Sequence, residues 1–448
     1  MTLTHGLHTI TAAAIYGLLA APNLATSQAI GGPDSLIVVE VQDIIRRTNP
    51  ELHARRAALT AAEARVPGAG SFAPAVLSAE LEEVPGGFDV AQAGSFRVDL
   101  SRELFSGGRR GARRALAAQV AERARLELTL VERSLLASAS SFLVRYLGGI
   151  AVAERLAAQD SLLAGAQDAV TTRFAVGDSR YVDVLRLRAE RLRTRVEIAQ
   201  ARAEALRGRR TLTGLAEPAD TVLGQLAARL DRLASRAPET LEMLSFPPVP
   251  NLDSLVQASA PVQLAEVGQR EAAAGVRLAI AEQRTRVNAS VGVQRFGGDD
   301  GGHRVGPTLG ASVTLPFTAG AAGRAARRAA EQELVGTRAE LRGAKALARA
   351  ELGAALDQYE VAVANAALFE PALLRGAREE RENALAIYRT GTLSLLELLD
   401  FERALTQAEI SRLRSRVAAA EAFAELMAGA ANVPEHSPFP AALPGGES

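Results

Sequence analysis

Along this chain the spacing of apolar residues changes period, and the same succession of periods occurs twice. Residues 36–66 follow a helical period, with Asp34 and Ser35 placed to cap the helix and Pro67 and Gly68 placed to stop it. The period then drops to two. Ala73, Ala75, Leu77, Ala79 and Leu81 share one face of a first strand. Phe96, Val98, Leu100 and Leu104 alternate with Ser95, Arg97, Asp99, Ser101 and Glu103 in a second, interrupted only at Arg102. A loop beginning Pro85-Gly86-Gly87 joins them. Residues 108–176 return to a helical period with no proline, and 180–214 continue it. In the second pass, Val287, Ala289, Val291 and Val293 alternate with Asn288, Ser290, Gly292 and Gln294. Leu309, Ala311, Val313, Leu315 and Phe317 alternate with Thr308, Gly310, Ser312 and Thr314. Helices over 320–390, interrupted at Pro371, and over 393–430 complete the unit.

The long helices carry a seam with alternating steps of four and three, as in a coiled coil. In the first it runs through Leu135, Ala139, Phe142, Tyr146, Gly149, Ala153 and Leu156. In the second it runs through Ala348, Leu352, Ala355, Tyr359, Ala362, Ala366, Phe369 and Leu373. Helices 36–66 and 180–214, placed end to end, match the long helix 108–176 in length, so the pair can lie alongside it.

The succession is one unit written twice, about 210 residues apart, far longer than a solenoid repeat. Asn49-Pro-Glu-Leu-His-Ala54 returns as Ala260-Pro-Val-Gln-Leu-Ala265, and Phe105-Ser-Gly-Gly108 as Phe317-Thr-Ala-Gly320. Phe174-Ala-Val-Gly177-Asp-Ser-Arg-Tyr-Val-Asp-Val-Leu185 returns as Tyr388-Arg-Thr-Gly391-Thr-Leu-Ser-Leu-Leu-Glu-Leu-Leu399. A glycine closing a long helical run is a C-terminal signal. Asp178 and Ser179, or Thr392 and Ser394, can then cap the next helix. Both copies therefore read as tight helical hairpin tips. The division that follows is a leader 1–29, a first repeat 30–215, a linker 216–250 with short segments on the outside, a second repeat 251–432 and a disordered proline-rich tail 433–448.

Strands of about ten residues with one apolar face match membrane β-strands. Four such strands cannot close a barrel, and open edges are not tolerated in lipid, so several chains must pool them. The apolar run 10–21 is too short to span a bilayer, no other segment reads as a membrane helix, and small residues up to Ala29 complete a signal peptide. Its first segment has His5 and His8 but no Lys or Arg. Composition narrows the picture further. The 51 basic and 51 acidic residues cancel, which gives no pull toward nucleic acid, and Lys345 is the single lysine. With no cysteine there is no disulfide, thiolate metal site or lipidated N-terminal cysteine.

Together, Asn49-Pro-Glu-Leu-x-Ala54, Phe105-Ser-Gly-Gly-Arg-Arg110, Arg173-Phe-x-x-Gly177 and Tyr388-x-x-Gly391 resemble the TolC-like outer membrane efflux proteins over about residues 36–430. Leu81-Glu-Glu-Val-Pro-Gly86 resembles their heavy-metal branch. The resemblance implies a mainly α fold with a small membrane β part: duplicated long coiled-coil helical hairpins plus two β-hairpins. These assemble as a homotrimer with a twelve-stranded β-barrel in outer membrane lipid and a periplasmic α-barrel. It also implies a periplasmic adaptor and an inner-membrane pump of the RND type, which deliver cargo at the tips. The chain departs from the pattern in its uncharged leader and in lacking the lipidation cysteine of some members. Metal ions, drugs and proteins all stay open as cargo, the last making the chain an exit duct for type I protein secretion. The reading from a different class is a soluble coiled-coil scaffold.

No bond chemistry is expected and no cofactor. His53, His303 and His436 are isolated; Glu82-Glu83 and Asp299-Asp300 read as solvated loop charges. Gly107-Gly-Arg-Arg-Gly111 lacks the endings of a phosphate loop and reads as a strand-to-helix turn. Arg109, Arg110, Arg113 and Arg114 are expected to anchor the periplasmic end of the strands at the membrane interface. Phe174, Gly177, Leu185, Tyr388, Gly391 and Leu399 are the candidate adaptor-docking residues. Asp178, Arg180, Asp183 and Arg186 in one tip, with Arg389, Glu397, Asp400 and Arg403 in the other, are candidate gate charges.

Overall fold

A computed structural model describes residues 33–82, 95–297, 303–315, 320–369, 373–390 and 392–429. The leader, the tail, Glu83, the loops from Pro85 and around Asp299, Phe317, Pro371 and Gly391 lie outside the described residues.

The predicted helix 36–66 is two helices, α1 (Pro33–Thr48) and α2 (Pro50–Ala69). Asn49 makes the break. Its side chain accepts from the Leu52 amide at 3.0 Å and donates to the Leu215 carbonyl at 2.7 Å, while Pro50 opens α2. Asp34 and Ser35 fall inside α1 rather than before it, and α2 runs through Pro67 to Ala69. Strands β1 (Val76–Glu82) and β2 (Ser95–Phe105) follow. Next come the long helix α3 (Arg109–Ala175) and α4 (Tyr181–Thr213).

The linker holds α5 (Asp220–Ala234) and α6 (Ala237–Glu242), and both pack firmly against the other helices. Leu226, Leu230, Leu233 and Leu241 are fully buried in one core with Val38, Ile45, Leu143 and Leu147. The Arg416 guanidinium holds the linker's end, donating to the carbonyls of Leu241, Glu242 and Leu244.

The second half contains α7 (Leu252–Ala258), α8 (Ala260–Glu282), β3 (Arg286–Gly297), β4 (His303–Thr314), α9 (Gly320–Leu368), α10 (Leu374–Arg389) and α11 (Leu395–Gly429). Ser259 is the N-cap of α8, with Pro261 in its first turn, so the break at Asn49 has a counterpart here.

The helices form an open layer. Near the sheet the order is α2, α3, α8, α9; toward the tips it is α4, α3, α11, α10. α2 and α4 thus flank α3 one after the other. The backbones of α3 and α4 touch at glycines. A Cβ on Gly149 would sit 2.7 Å from the Ala205 nitrogen, and one on Gly208 would sit 2.9 Å from the Tyr146 nitrogen. In the seams, Tyr146 and Leu156, and Leu352 and Tyr359, are buried as the spacing predicts; Leu373 is exposed instead. One stretch of α3 has a mean hydropathy of 1.5, high enough for a membrane span, which the sequence reading passed over. That stretch is 61% buried among the other helices, so its apolarity belongs to the helical core.

Candidate functional site

The four strands form one antiparallel sheet in the order β1-β2-β3-β4, so among the described residues β1 and β4 each leave an edge unpaired. The register separates two faces. Leu77, Leu100, Val291 and Leu309 stand in one row across the sheet, and Ala79, Val98, Val293 and Pro307 in the next. Leu309 is 89% exposed and Leu77 is 71% exposed, so nothing among the described residues covers this face. The rows between are polar: Ser78, Asp99, Gly292, Thr308, then Glu80, Arg97, Gln294, Gly306.

On the polar face the Thr308 hydroxyl donates to Asp99 Oδ1 at 3.0 Å, and Arg97 donates to Gln294 at 2.8 Å. Gly292 lies between Asp99 and Thr308. A Cβ there would fall 2.3 Å from Asp99 Oδ1, so only glycine lets that carboxylate reach across β3. A bulge between Glu103 and Phe105 corrects the predicted alternation. It leaves Leu104 out of the ladder and sets Phe105 opposite Val287.

The junction below β2 is a left-handed turn, with φ of 60° at Gly107 and 87° at Gly108. The arginines after it do not form one uniform anchor. Arg109 is buried on Glu103 at 2.6 Å, Arg113 pairs with Glu282 at 3.6 Å, and Arg110 lies over the Phe72 ring.

At the first tip Gly177 has φ 82°, and the Asp178 amide donates to the Arg173 carbonyl at 2.8 Å. This wraps the end of α3. Asp178 and Ser179 do not cap α4. Its N-cap is Arg180, which makes no side-chain cap bond and instead reaches Asp183 at 3.3 Å. The Phe174 ring packs against Tyr181 with centroids 5.4 Å apart. Phe174, Val176, Val182 and Leu185 are exposed, an apolar cap on the hairpin.

The second tip is built differently. Thr390 and Thr392 donate to the Ile387 carbonyl, and Ser394 with Glu397 forms a capping box: the Ser394 amide donates to the carboxylate at 2.7 Å and the Glu397 amide to the hydroxyl at 3.2 Å. These bonds from Ser394 hold the Glu397 carboxyl below its ordinary pKa. Glu397 therefore serves to cap its own helix. Leu399 is not exposed like Leu185. With Leu395 and Leu396 it packs on Leu163, Ala166, Val170, Val184 and Leu187 of the first hairpin, while Tyr388 is half-buried.

Of the candidate gate charges, Arg186, Asp400 and Arg403 come together. Arg186 meets Asp400 at 3.7 Å, Arg403 meets Asp400 at 3.5 Å, and Arg403 reaches Glu190 at 2.8 Å. The network ties α4 to α11. Among the described residues Asp178 and Arg389 stand outside it. The sequence reading missed Glu190, whose only signal was its position one turn after Arg186.

No family model matches the chain. Over 324 residues it is 30% identical to the cobalt-zinc-cadmium resistance protein CzcC of Cupriavidus metallidurans, a match covering 70% of this chain and 68% of that protein. The chain belongs to the TolC-like outer membrane efflux proteins. Solved structures agree on the fold of this efflux channel. A membrane protein from Pseudomonas aeruginosa superposes with a TM-score of 0.68 at 18% identity, covering 88% of this chain and 92% of that one. The outer-membrane channel OprN superposes with a TM-score of 0.66 at 20% identity, covering 88% and 91%. As an outer membrane efflux channel, the protein places its helical part in the periplasm and is a conduit rather than an enzyme.

Proposed function

We propose that three copies of this efflux channel close into one duct, and that the duct exports divalent metal cations delivered by an RND-type pump through a periplasmic adaptor. The observation that carries the assembly is the pair of unpaired sheet edges. β1 and β4 present free backbone groups that lipid cannot satisfy, and pairing β4 of one copy with β1 of the next removes every edge. The helical layer repeats the argument. Its outer members carry exposed apolar residues, Leu192, Val196 and Leu206 on α4 and Leu347, Val361 and Leu368 on α9. Two different edges that meet head to tail make a ring. The apolar face of the sheet then meets lipid, and the face of Arg97, Asp99 and Thr308 lines the passage.

The cargo follows from the relationship to CzcC, named for cobalt, zinc and cadmium resistance. The adaptor docks at the tips. Phe174, Val176 and Leu185 supply the exposed apolar contact, with Gly177 shaping the first turn, while Leu399 holds the two tips together from within. The links between Arg186, Asp400, Arg403 and Glu190 keep neighbouring hairpins closed until the adaptor separates them. Asp183, which pairs within its own turn, is not part of that latch.

The test is export. A bacterium deleted for its own metal-efflux channel, given this gene with its cognate pump and adaptor, should regain growth in zinc, cobalt or cadmium. Light scattering of the purified protein should give the mass of three processed chains. Gly177→Pro should abolish growth while leaving the trimer intact. Asp400→Ala should raise single-channel conductance in a planar bilayer, and Asp183→Ala should not. A monomer in detergent, or rescue against drugs but not metals, would sink the assembly or the cargo respectively.

A further inference from the structure

We infer that Phe72, Arg102 and Arg110 form a binding site for the headgroup of an anionic phospholipid at the periplasmic edge of the sheet. The inference rests on the sheet being part of a membrane barrel. Arg102 is the residue that interrupts the apolar alternation of β2. It stands in a row with Ala289 and Ala311, on the face of Leu100 and Val291, close to the strand's periplasmic end. A charge on that face is expensive unless it reaches the interface and finds a partner there.

Its guanidinium lies 4.9 Å from the centre of the Phe72 ring, and that of Arg110, in the first turn of α3, lies 3.6 Å from the same centre. Neighbouring cations are neutralised: Arg109 by Glu103, and Arg113 by Glu282. Among the described residues no ion pair joins Arg102 or Arg110 to a carboxylate. Both guanidinium groups lie against one ring, and a phosphate diester that reaches both would satisfy them through paired N–H donors. The surroundings select a lipid over a free anion. Phe72 is 43% exposed, and Leu77 and Phe105, which the register puts on the apolar face with Leu100 and Val287, are exposed as well, a wall for acyl chains near an aromatic at headgroup level.

Native mass spectrometry of the purified protein in mild detergent tests this with phosphatidylglycerol, phosphatidylcholine and inorganic phosphate as probes. Phosphatidylglycerol should bind about thirtyfold more tightly than phosphatidylcholine, the contribution expected of two interfacial arginines. R102Q/R110Q should lose that preference, R188Q on exposed α4 should keep it, and millimolar phosphate should not displace the lipid. R102K/R110K should recover the preference in part, which separates lost charge from a disturbed sheet. Equal binding of the two lipids, or an unchanged preference in R102Q/R110Q, overturns the site. Displacement by phosphate assigns the arginines to a soluble anion and overturns the lipid. The same spectrum gives the oligomer, so a monomer that still binds phosphatidylglycerol through both arginines rejects the trimer and retains the site.

Discussion

α3 and the pair α9–α10 come from the same duplicated stretch, yet they live differently. α3 runs unbroken through the middle of the layer, with α2 and α4 on one side and α8 and α11 on the other. Leu143, Val144, Leu147, Val152 and Leu163 are buried around its circumference. α9 and α10 lie at the layer's edge, and α9 buries only Ala348, Leu352, Tyr359 and Ala366, on one stripe. Duplication fixed the contour of the helix; its place in the layer fixed how many of its faces became core. That is why, among the described residues, only α3 reaches the hydropathy of a membrane span, while the edge copy keeps exposed apolar residues.

The comparison breaks most visibly at ion pairs. Glu103→Gln, which leaves Arg109 buried without its partner, should lower stability by about 3–5 kcal/mol. Glu331→Gln, in the exposed Arg327–Glu331 pair near the start of α9, should change it by less than about 0.5 kcal/mol. Thermal dissociation of the purified assembly reads both, and equal losses would remove the distinction between centre and edge.

Glycines sharpen it next. Gly149→Ala and Gly208→Ala push a methyl group into backbone and should cost about 1–3 kcal/mol. Gly343→Ala on α9, with nothing within 4 Å of the new atom, should gain about 0.5–1 kcal/mol from helix propensity.

The seam tyrosines offer a finer contrast. Burial pushes Tyr359 up to about 12 from the ordinary 10.0, and its hydroxyl donates to the Pro247 carbonyl at 2.8 Å. Burial also raises Tyr146, but there the positive Arg209 pulls the other way. A raised folded pKa stabilises fully below the unfolded value and is lost as pH rises through the folded one. The wild type should therefore lose stability between pH 10 and about 12, and Tyr359→Phe should remove much of that loss at a cost of about 1 kcal/mol at neutral pH. Ultraviolet titration should show the last tyrosine to ionise missing in that variant.

The smallest effect separates the tips. Ser394→Ala should cost the second tip about 1 kcal/mol and speed amide exchange over 395–398, leaving 177–184 unchanged, because the first tip has no side-chain cap to lose. Glu397's lowered pKa gives its support above the ordinary carboxylate range, and that support is lost as the pH falls through the lowered value.

Much of this was legible along the chain because it is written in periods and repeats. Strand alternation placed Leu77, Leu100, Val291 and Leu309 on a common face, and the seam spacing picked Tyr146 and Tyr359 for burial. The remainder rests on contacts between distant residues. The break at Asn49 depends on a carbonyl contributed by Leu215. The buried leucines of α5 need α1 and α3 to cover them. Leu185 and Leu399 occupy the same place in the repeat, but only Leu399 has the other hairpin to pack on. Arg102 was visible as an interruption of a pattern, and its meaning came only when Phe72 and Arg110 arrived beside it.

The unpaired edges of β1 and β4 also have a genetic consequence. A chain that owns one arc of a wall shares the fate of its neighbours. With the three-copy duct proposed above, if a cell makes intact and defective copies in equal amounts and they mix freely, only about one ring in eight is wholly intact. A lesion at a tip or an edge should therefore act dominantly, suppressing export even in a cell that still carries a good gene. A lesion that prevents a copy from joining at all should be silent.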